Sequence, residues 1–238
     1  MNAPHAAPLG PSFNFAQHLI ALNAGRAAKT AYTDDHGTLS YGELAERVKR
    51  MAGALLNSGL RREDRVLLLM HDNNDWPVSF LGALYAGLVP VAVNTLLTTD
   101  DYAFMLQHSR AQAALVSNAL LPTLMAAMVQ GEHEVGSIFV SQAEGALPPG
   151  GQAISDALAR SVPLARAAET TPDDPGFWLY SSGSTGKPKG TVHTHGNLYW
   201  TAELYGKPVL GLTEHDVCLL YTSPSPRDRT RSRMPSSA

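Results

Sequence analysis

The stretch Phe177-Trp-Leu-Tyr-Ser-Ser-Gly-Ser-Thr-Gly-Lys-Pro-Lys-Gly190, continuing Thr-Val-His-Thr-His195, passes from a short apolar strand into nine residues drawn almost wholly from Gly, Ser, Thr and Lys. Small residues let backbone N–H groups approach an anion, hydroxyls add donors, and two lysines supply positive charge. Those are the requirements for holding a polyphosphate, although on composition alone a mobile surface linker would read similarly. The loop is not a Walker P-loop. Where that pattern needs a Gly the chain has Ser181, and Pro188 follows Lys187 where a Ser or Thr is required. Pro188 also biases Lys187 away from helical geometry, so the loop is not expected to open straight into a helix.

Upstream, the chain alternates helix and strand, the pattern of an α/β protein. Ser40 with Glu43 makes a capping box. Leu44, Val48, Met51 and Leu55 then recur at helical spacing until Gly59. The run Arg65–Met70 reads as a strand buried on both faces. A helix capped by Asp75, with Pro77 in its first turn, runs to Gly87. Val89–Val93 reads as a strand, Thr99–Ser109 as a helix and Ala113–Ser117 as a strand. Leu120–Val129 follows as a helix, Ser137–Ser141 as a strand and Ile154–Arg160 as a short helix in the loop-rich span 142–176. Repetition of this unit predicts right-handed crossovers and a largely parallel sheet.

The eleven positions Tyr180-Ser-Ser-Gly-Ser-Thr-Gly-Lys-Pro-Lys-Gly190 resemble the signature loop of the adenylate-forming superfamily: acyl-CoA synthetases, luciferases and peptide-synthetase adenylation domains. Leu39-Ser-Tyr-Gly-Glu-Leu44 and Leu81-Gly-Ala-Leu-Tyr-Ala-Gly-Leu-Val-Pro90 look like that superfamily's early pattern. Within it, Asp75-Trp-Pro77, Val91-Ala-Val-Asn-Thr-Leu-Leu97, Trp178-Leu-Tyr-Ser-Ser and His193-Thr-His195 are most similar to the benzoate–CoA ligase group. The fold so implied is α/β, an incomplete N-terminal domain of the acyl-CoA synthetase/luciferase-like type. It would comprise a disordered leader over 1–12, a partial AMP-binding domain over 13–217 with its phosphate loop at 180–190, and a separate tail over 218–238.

What the resemblance implies is a two-step ligase. An aryl carboxylate such as benzoate attacks the α-phosphate of Mg2+-bound ATP, giving an acyl-adenylate and pyrophosphate, and the thiol of coenzyme A then displaces AMP. By similarity Ser181, Ser182, Gly183, Ser184, Thr185, Gly186 and Gly190 would wrap the β- and γ-phosphates. Lys187 and Lys189 would neutralise their charge, with the inward-pointing one left open. His193 and His195 stand as substrate-proximal candidates. With no other His or Cys clustered beside them, a structural or orienting role outweighs a metal site, and strand alternation would put the two on one face. His71-Asp-Asn-Asn-Asp75 reads as a solvated turn capping the next helix rather than an acid/base cluster, and Arg61-Arg62 as an exposed loop. The substrate pocket, the Mg-holding acid, the ribose-binding Asp and the catalytic lysine all belong to later family segments. No catalytic residue is therefore assigned, and the chain alone is expected to be inactive. The alternatives are a ligase for aminobenzoate, hydroxybenzoate or a medium-chain fatty acid, and a short nucleotide-binding protein without catalysis.

Composition sets the surroundings. The 238 residues are 44% hydrophobic and 16% charged, with a net charge of −3, which gives no reason to expect nucleic acid. No apolar run is long enough to span a membrane, and the Ala/Pro-rich start lacks the basic flank of a secretory signal. A cytoplasmic enzyme is the default. Cys218 is the single cysteine, so no internal disulfide framework exists. From residue 218 onward the composition breaks: Arg227, Arg229, Arg231 and Arg233 stand against Asp228, a net of +3. Taken from the totals of 18 basic and 21 acidic residues, these leave 14 and 20 before residue 218, a net of −6. CLLYTSPSPRD and SRMPSSA within this tail resemble the translation of a sequencing-library adapter, a reading the composition break favours over the bland alternative of a disordered basic tail.

Overall fold

The computed structural model describes residues 6–181 and 187–218. Seven strands form the central sheet: β3 (Arg65–Leu69), β4 (Val89–Ala92), β5 (Ala113–Ser117), β6 (Ser137–Ser141), β7 (Gly151–Ala153), β8 (Pro175–Ser181) and β9 (Lys189–Thr194). Their order is β7-β6-β5-β3-β4-β8-β9. Every neighbouring pair is parallel except β8 and β9, which run antiparallel as a hairpin. A separate two-stranded hairpin, β1 (Thr30–Asp34) with β2 (Gly37–Ser40), precedes the sheet.

Seven α-helices accompany the strands among the described residues: α1 (Phe15–Leu22), α2 (Tyr41–Asn57), α3 (Asp75–Tyr85), α4 (Thr99–Ser109), α5 (Leu121–Gln130), α6 (Ile154–Arg160) and α7 (His195–Thr201). The strand order dictates their faces. The steps β3 to β4 and β7 to β8 go one way along the sheet, whereas β4 to β5 and β5 to β6 go the other. With crossovers of one hand, helices on opposite steps land on opposite faces. Accordingly α3 and α6 join α1 and α2 in one core, against Val66, Leu68, Leu115 and Phe139. Helices α4 and α5 build the second core, against Leu67, Leu69, Val116 and Val140. Alternate residues of each central strand thus feed different cores, and so β3 and β5 read as unbroken apolar runs.

Local signals that the sequence carries are realised closely. Ser40 accepts from the Glu43 amide, and the Glu43 carboxylate accepts from the Ser40 amide at 2.8 Å, closing the box on α2. Thr98 and Asp101 do the same for α4. Gly59 and Gly87 end their helices with φ of +94° and +73°, a left-handed backbone that glycine adopts without strain. The cap of α3 differs from expectation. Asn73, not Asp75, accepts from the amides of Asp75 and Trp76, both at 3.1 Å. Asp75 instead pairs with Arg47 at 2.6 Å and accepts from the Ser141 hydroxyl at 2.8 Å. The His71–Asp75 turn thus caps α3 as expected, with His71 and Asp72 exposed, while Asn73, Asn74 and Asp75 are half-buried in a polar junction with α2 and β6. Residues 6–12 carry no helix or strand, and the Ala7 carbonyl accepts from the Tyr199 hydroxyl at 2.8 Å. Arg62 lies at the surface, paired with Asp174 at 2.6 Å.

Candidate anion-binding site at the β8–β9 hairpin

Strand β8 is joined to β4 by a short register, Val91 opposite Trp178 and Ala92 opposite Leu179. Its far end pairs with β9, where Ser181 faces Lys189, Tyr180 faces Gly190 and Phe177 faces His193. The Gly/Ser/Thr-rich connection thus begins at the carboxyl end of a parallel strand and returns as an antiparallel one. Pro188 separates it from β9, and the connection opens into a strand rather than a helix, in keeping with the restriction proline places on Lys187. Ser182, Gly183, Ser184, Thr185 and Gly186 lie outside the described residues.

The two lysines diverge. Strand alternation puts Lys189 with Thr191 and His193 on one face. Lys187 lies on the other side, its Nζ 5.3 Å from the centre of the Phe104 ring on α4, within cation–π range. Among the described residues neither lysine has a carboxylate partner within salt-bridge distance. Gly190 lies opposite Tyr180, and a Cβ there would come within 3.5 Å of both the His108 and Tyr180 rings and 3.6 Å of Trp178. Tyr180 is fixed through its hydroxyl, 2.8 Å from His108 Nδ1, and burial pushes its phenol up to about 12.

His193 and His195 do not share a face. His193 is on β9, stacked on Phe177 with ring centres 4.6 Å apart and planes 10° from parallel. The strand ends at Thr194, so His195 becomes the first residue of α7. His195 is fully buried. Its Nδ1 accepts from the Phe15 amide at 3.2 Å, which ties α7 to α1. Burial drives its pKa down to about 4, against the opposing attraction of Asp174. A ring closed off in this way cannot touch a ligand in this conformation.

An open cleft of about 460 Å³ lies beside the hairpin, between Met70, His71 and Asp72 after β3, Asn94 and Thr95 after β4, and Leu179 and Tyr180 of β8, with Trp76 also lining it. This is the point where the connections leave for opposite faces of the sheet, α3 to one and α4 to the other. Ligands of open α/β sheets bind at such places, outside the carboxyl ends of the strands. The sequence alone does not single out Phe104 or His108. The four-residue spacing of Phe104 and His108 on α4 is visible in the sequence, but nothing local says that β8 lies against it. Among the described residues no group of three or more His, Cys, Asp or Glu side chains is placed to hold a metal ion. No helix among them is long and apolar enough to cross a membrane.

A mixed sheet of this order, with a Gly/Ser/Thr/Lys connection at its carboxyl edge, defines an α/β protein with a candidate anion site, and the chain belongs to the family of AMP-binding enzymes, whose profile matches residues 21–225. It is 48% identical over 219 residues to a benzoate–CoA ligase of Thauera aromatica, covering 91% of this chain and 40% of that protein. It is 37% identical over 207 residues to a 4-hydroxybenzoate–CoA/benzoate–CoA ligase of Rhodopseudomonas palustris, covering 86% of this chain and 38% of that one. Among solved structures, a benzoate CoA ligase from Burkholderia xenovorans LB400 superposes with a TM-score of 0.77 at 50% identity, over 86% of this chain and 39% of the other. An anthranilate CoA ligase in complex with anthranoyl-AMP gives 0.82 at 31% identity, over 87% and 40%. The chain therefore spans about 40% of the length of the relatives it matches.

Proposed function

We propose that these residues form the ATP-phosphate-binding part of an aryl carboxylate–CoA ligase acting on benzoate or a close relative. The observation that carries the reading is the hairpin root. Two lysines that have no carboxylate partner among the described residues flank a Gly/Ser/Thr connection at the carboxyl edge of a parallel sheet, beside a cleft at the switch point. Uncompensated positive charge and close backbone approach suit a polyphosphate. The 48% identity to a benzoate–CoA ligase supports the aryl acid over the fatty-acid alternative, since a long-chain-fatty-acid–CoA ligase of Mycobacterium tuberculosis is 27% identical.

In the reaction so proposed, a carboxylate oxygen bonds to the α-phosphorus of ATP and the bond to pyrophosphate breaks. Thiol attack by coenzyme A then expels AMP. Ser181, Ser182, Gly183, Ser184, Thr185, Gly186 and Gly190 surround the β- and γ-phosphates, while Lys187 and Lys189 offset the charge that grows on the departing pyrophosphate. Mg2+ bound with the nucleotide would supply charge screening of its phosphates, and no residue of this chain is assigned to hold it. Relatives are about two and a half times longer, in line with the 40% share covered. The activity proposed is that of the whole protein, of which these residues form the nucleotide-binding part. Calorimetric titration tests the assignment: Mg-ATP and inorganic pyrophosphate bind more tightly than AMP, and replacing Lys187 and Lys189 by Ala removes most of that difference. Equal affinity for ATP and AMP, unmoved by the two substitutions, contradicts it.

A further inference from the structure

We propose that Phe104 and His108, one turn apart on α4, are positioning residues that hold both ends of the anion-binding connection from a single helix. The inference rests on the phosphate reading above and extends it to residues that do not line the connection. The hairpin has few strand contacts to hold it: among the described residues β8 meets the parallel sheet through two register positions and β9 pairs only with β8.

Residues four apart on a helix lie on one face, and here that face points at the hairpin. Phe104 and His108 stack on each other, with ring centres 5.3 Å apart and planes 21° from parallel. His108 meets Tyr180 twice, through the 2.8 Å hydrogen bond and an edge-on ring contact at 5.7 Å. Its ring also stands 6.3 Å from Trp178. Tyr180 immediately precedes the connection, so His108 fixes where it starts. Lys187, at its other end, has its ammonium over Phe104. At Gly190, β9 lies directly against the His108, Tyr180 and Trp178 rings, which a Cβ there would meet at 3.5–3.6 Å, ordinary contact distance. A single stacked pair therefore holds the chain entering and leaving, and sets where the Lys187 charge sits before an anion arrives.

The test uses the full 238-residue chain with Phe104→Leu, Phe104→Trp, Tyr180→Phe and Lys187→Ala, each first checked for an unchanged melting temperature. Amide hydrogen exchange is measured without ligand. Phe104→Leu and Tyr180→Phe speed exchange across β8 and β9 on the order of tenfold, leaving β5 unchanged. Unaltered exchange in the hairpin overturns the proposal. Affinity for inorganic pyrophosphate is then read. Phe104→Leu weakens it about twofold to fivefold, Phe104→Trp restores it, and Phe104→Leu adds nothing once Lys187 is Ala. Independent, multiplying losses from the two substitutions overturn the proposal. If the parent chain shows the exchange pattern but binds no pyrophosphate, the holding contact stands and the phosphate reading fails.

Discussion

His195 is a substrate-proximal candidate in the sequence for which a structural or orienting role is expected, and its surroundings favour the structural one. The imidazole is buried, accepts from the Phe15 amide through Nδ1, and so carries its proton on Nε2, which has no partner among the described residues. With a folded pKa near 4 against about 6.5 when unfolded, the unfolded chain binds more protons between those values. Stability from this residue is complete above pH 6.5 and falls as the pH drops toward 4, by about 3 kcal/mol in all. Chemical denaturation of the parent chain and His195→Asn at pH 7 and pH 5 measures this. Asn keeps an acceptor for Phe15 but does not titrate, so its stability changes less between the two. Parallel changes in both proteins contradict the burial account.

Elements show which signals are written locally. The box of Ser40 with Glu43, the run from Thr99 to Ser109 and the apolar strands Ala113–Ser117 and Ser137–Ser141 were legible, because cap chemistry and periodicity act within one segment. The hairpin β1–β2, helix α1 and the three-residue β7 were not read. Helix α1 is short and secured mainly from outside, with Asn14 donating to the Leu84 carbonyl at 2.7 Å. Strand β7 has no apolar pattern and exists by pairing with β6. The divergence of Lys187 from Lys189 depends on α4 and was likewise invisible. Two substitutions test the packing of α2. Ser40→Ala costs about 1 kcal/mol by removing the cap. Gly82→Ala, which helix propensity alone would favour by about 1 kcal/mol, destabilises instead. The new methyl would lie 2.6 Å from Met51 Cγ and 2.7 Å from Met51 Cβ on α2, and such overpacking costs about 1–3 kcal/mol. Thermal unfolding of both variants decides it, and a rise in melting temperature for Gly82→Ala would show that the helices can separate without penalty.

For the molecule as a whole, the order of the strands explains why a site forms where it does. Connections leaving to opposite faces open a cleft at the carboxyl edge, and the next strand in that direction carries the Gly/Ser/Thr/Lys connection. The role proposed for this arrangement is to hold the phosphates of ATP in an aryl–CoA ligase. It is tested most directly by replacing the matching part of the Thauera aromatica benzoate–CoA ligase with residues 13–217 of this chain and measuring benzoate-dependent pyrophosphate release. Release is expected to require benzoate and to fall at least tenfold with Lys187→Ala and Lys189→Ala together, given the roughly 1.5–3 kcal/mol of a charged hydrogen bond. A folded chimera that binds benzoate yet releases no pyrophosphate, or releases it equally well without the two lysines, would contradict it.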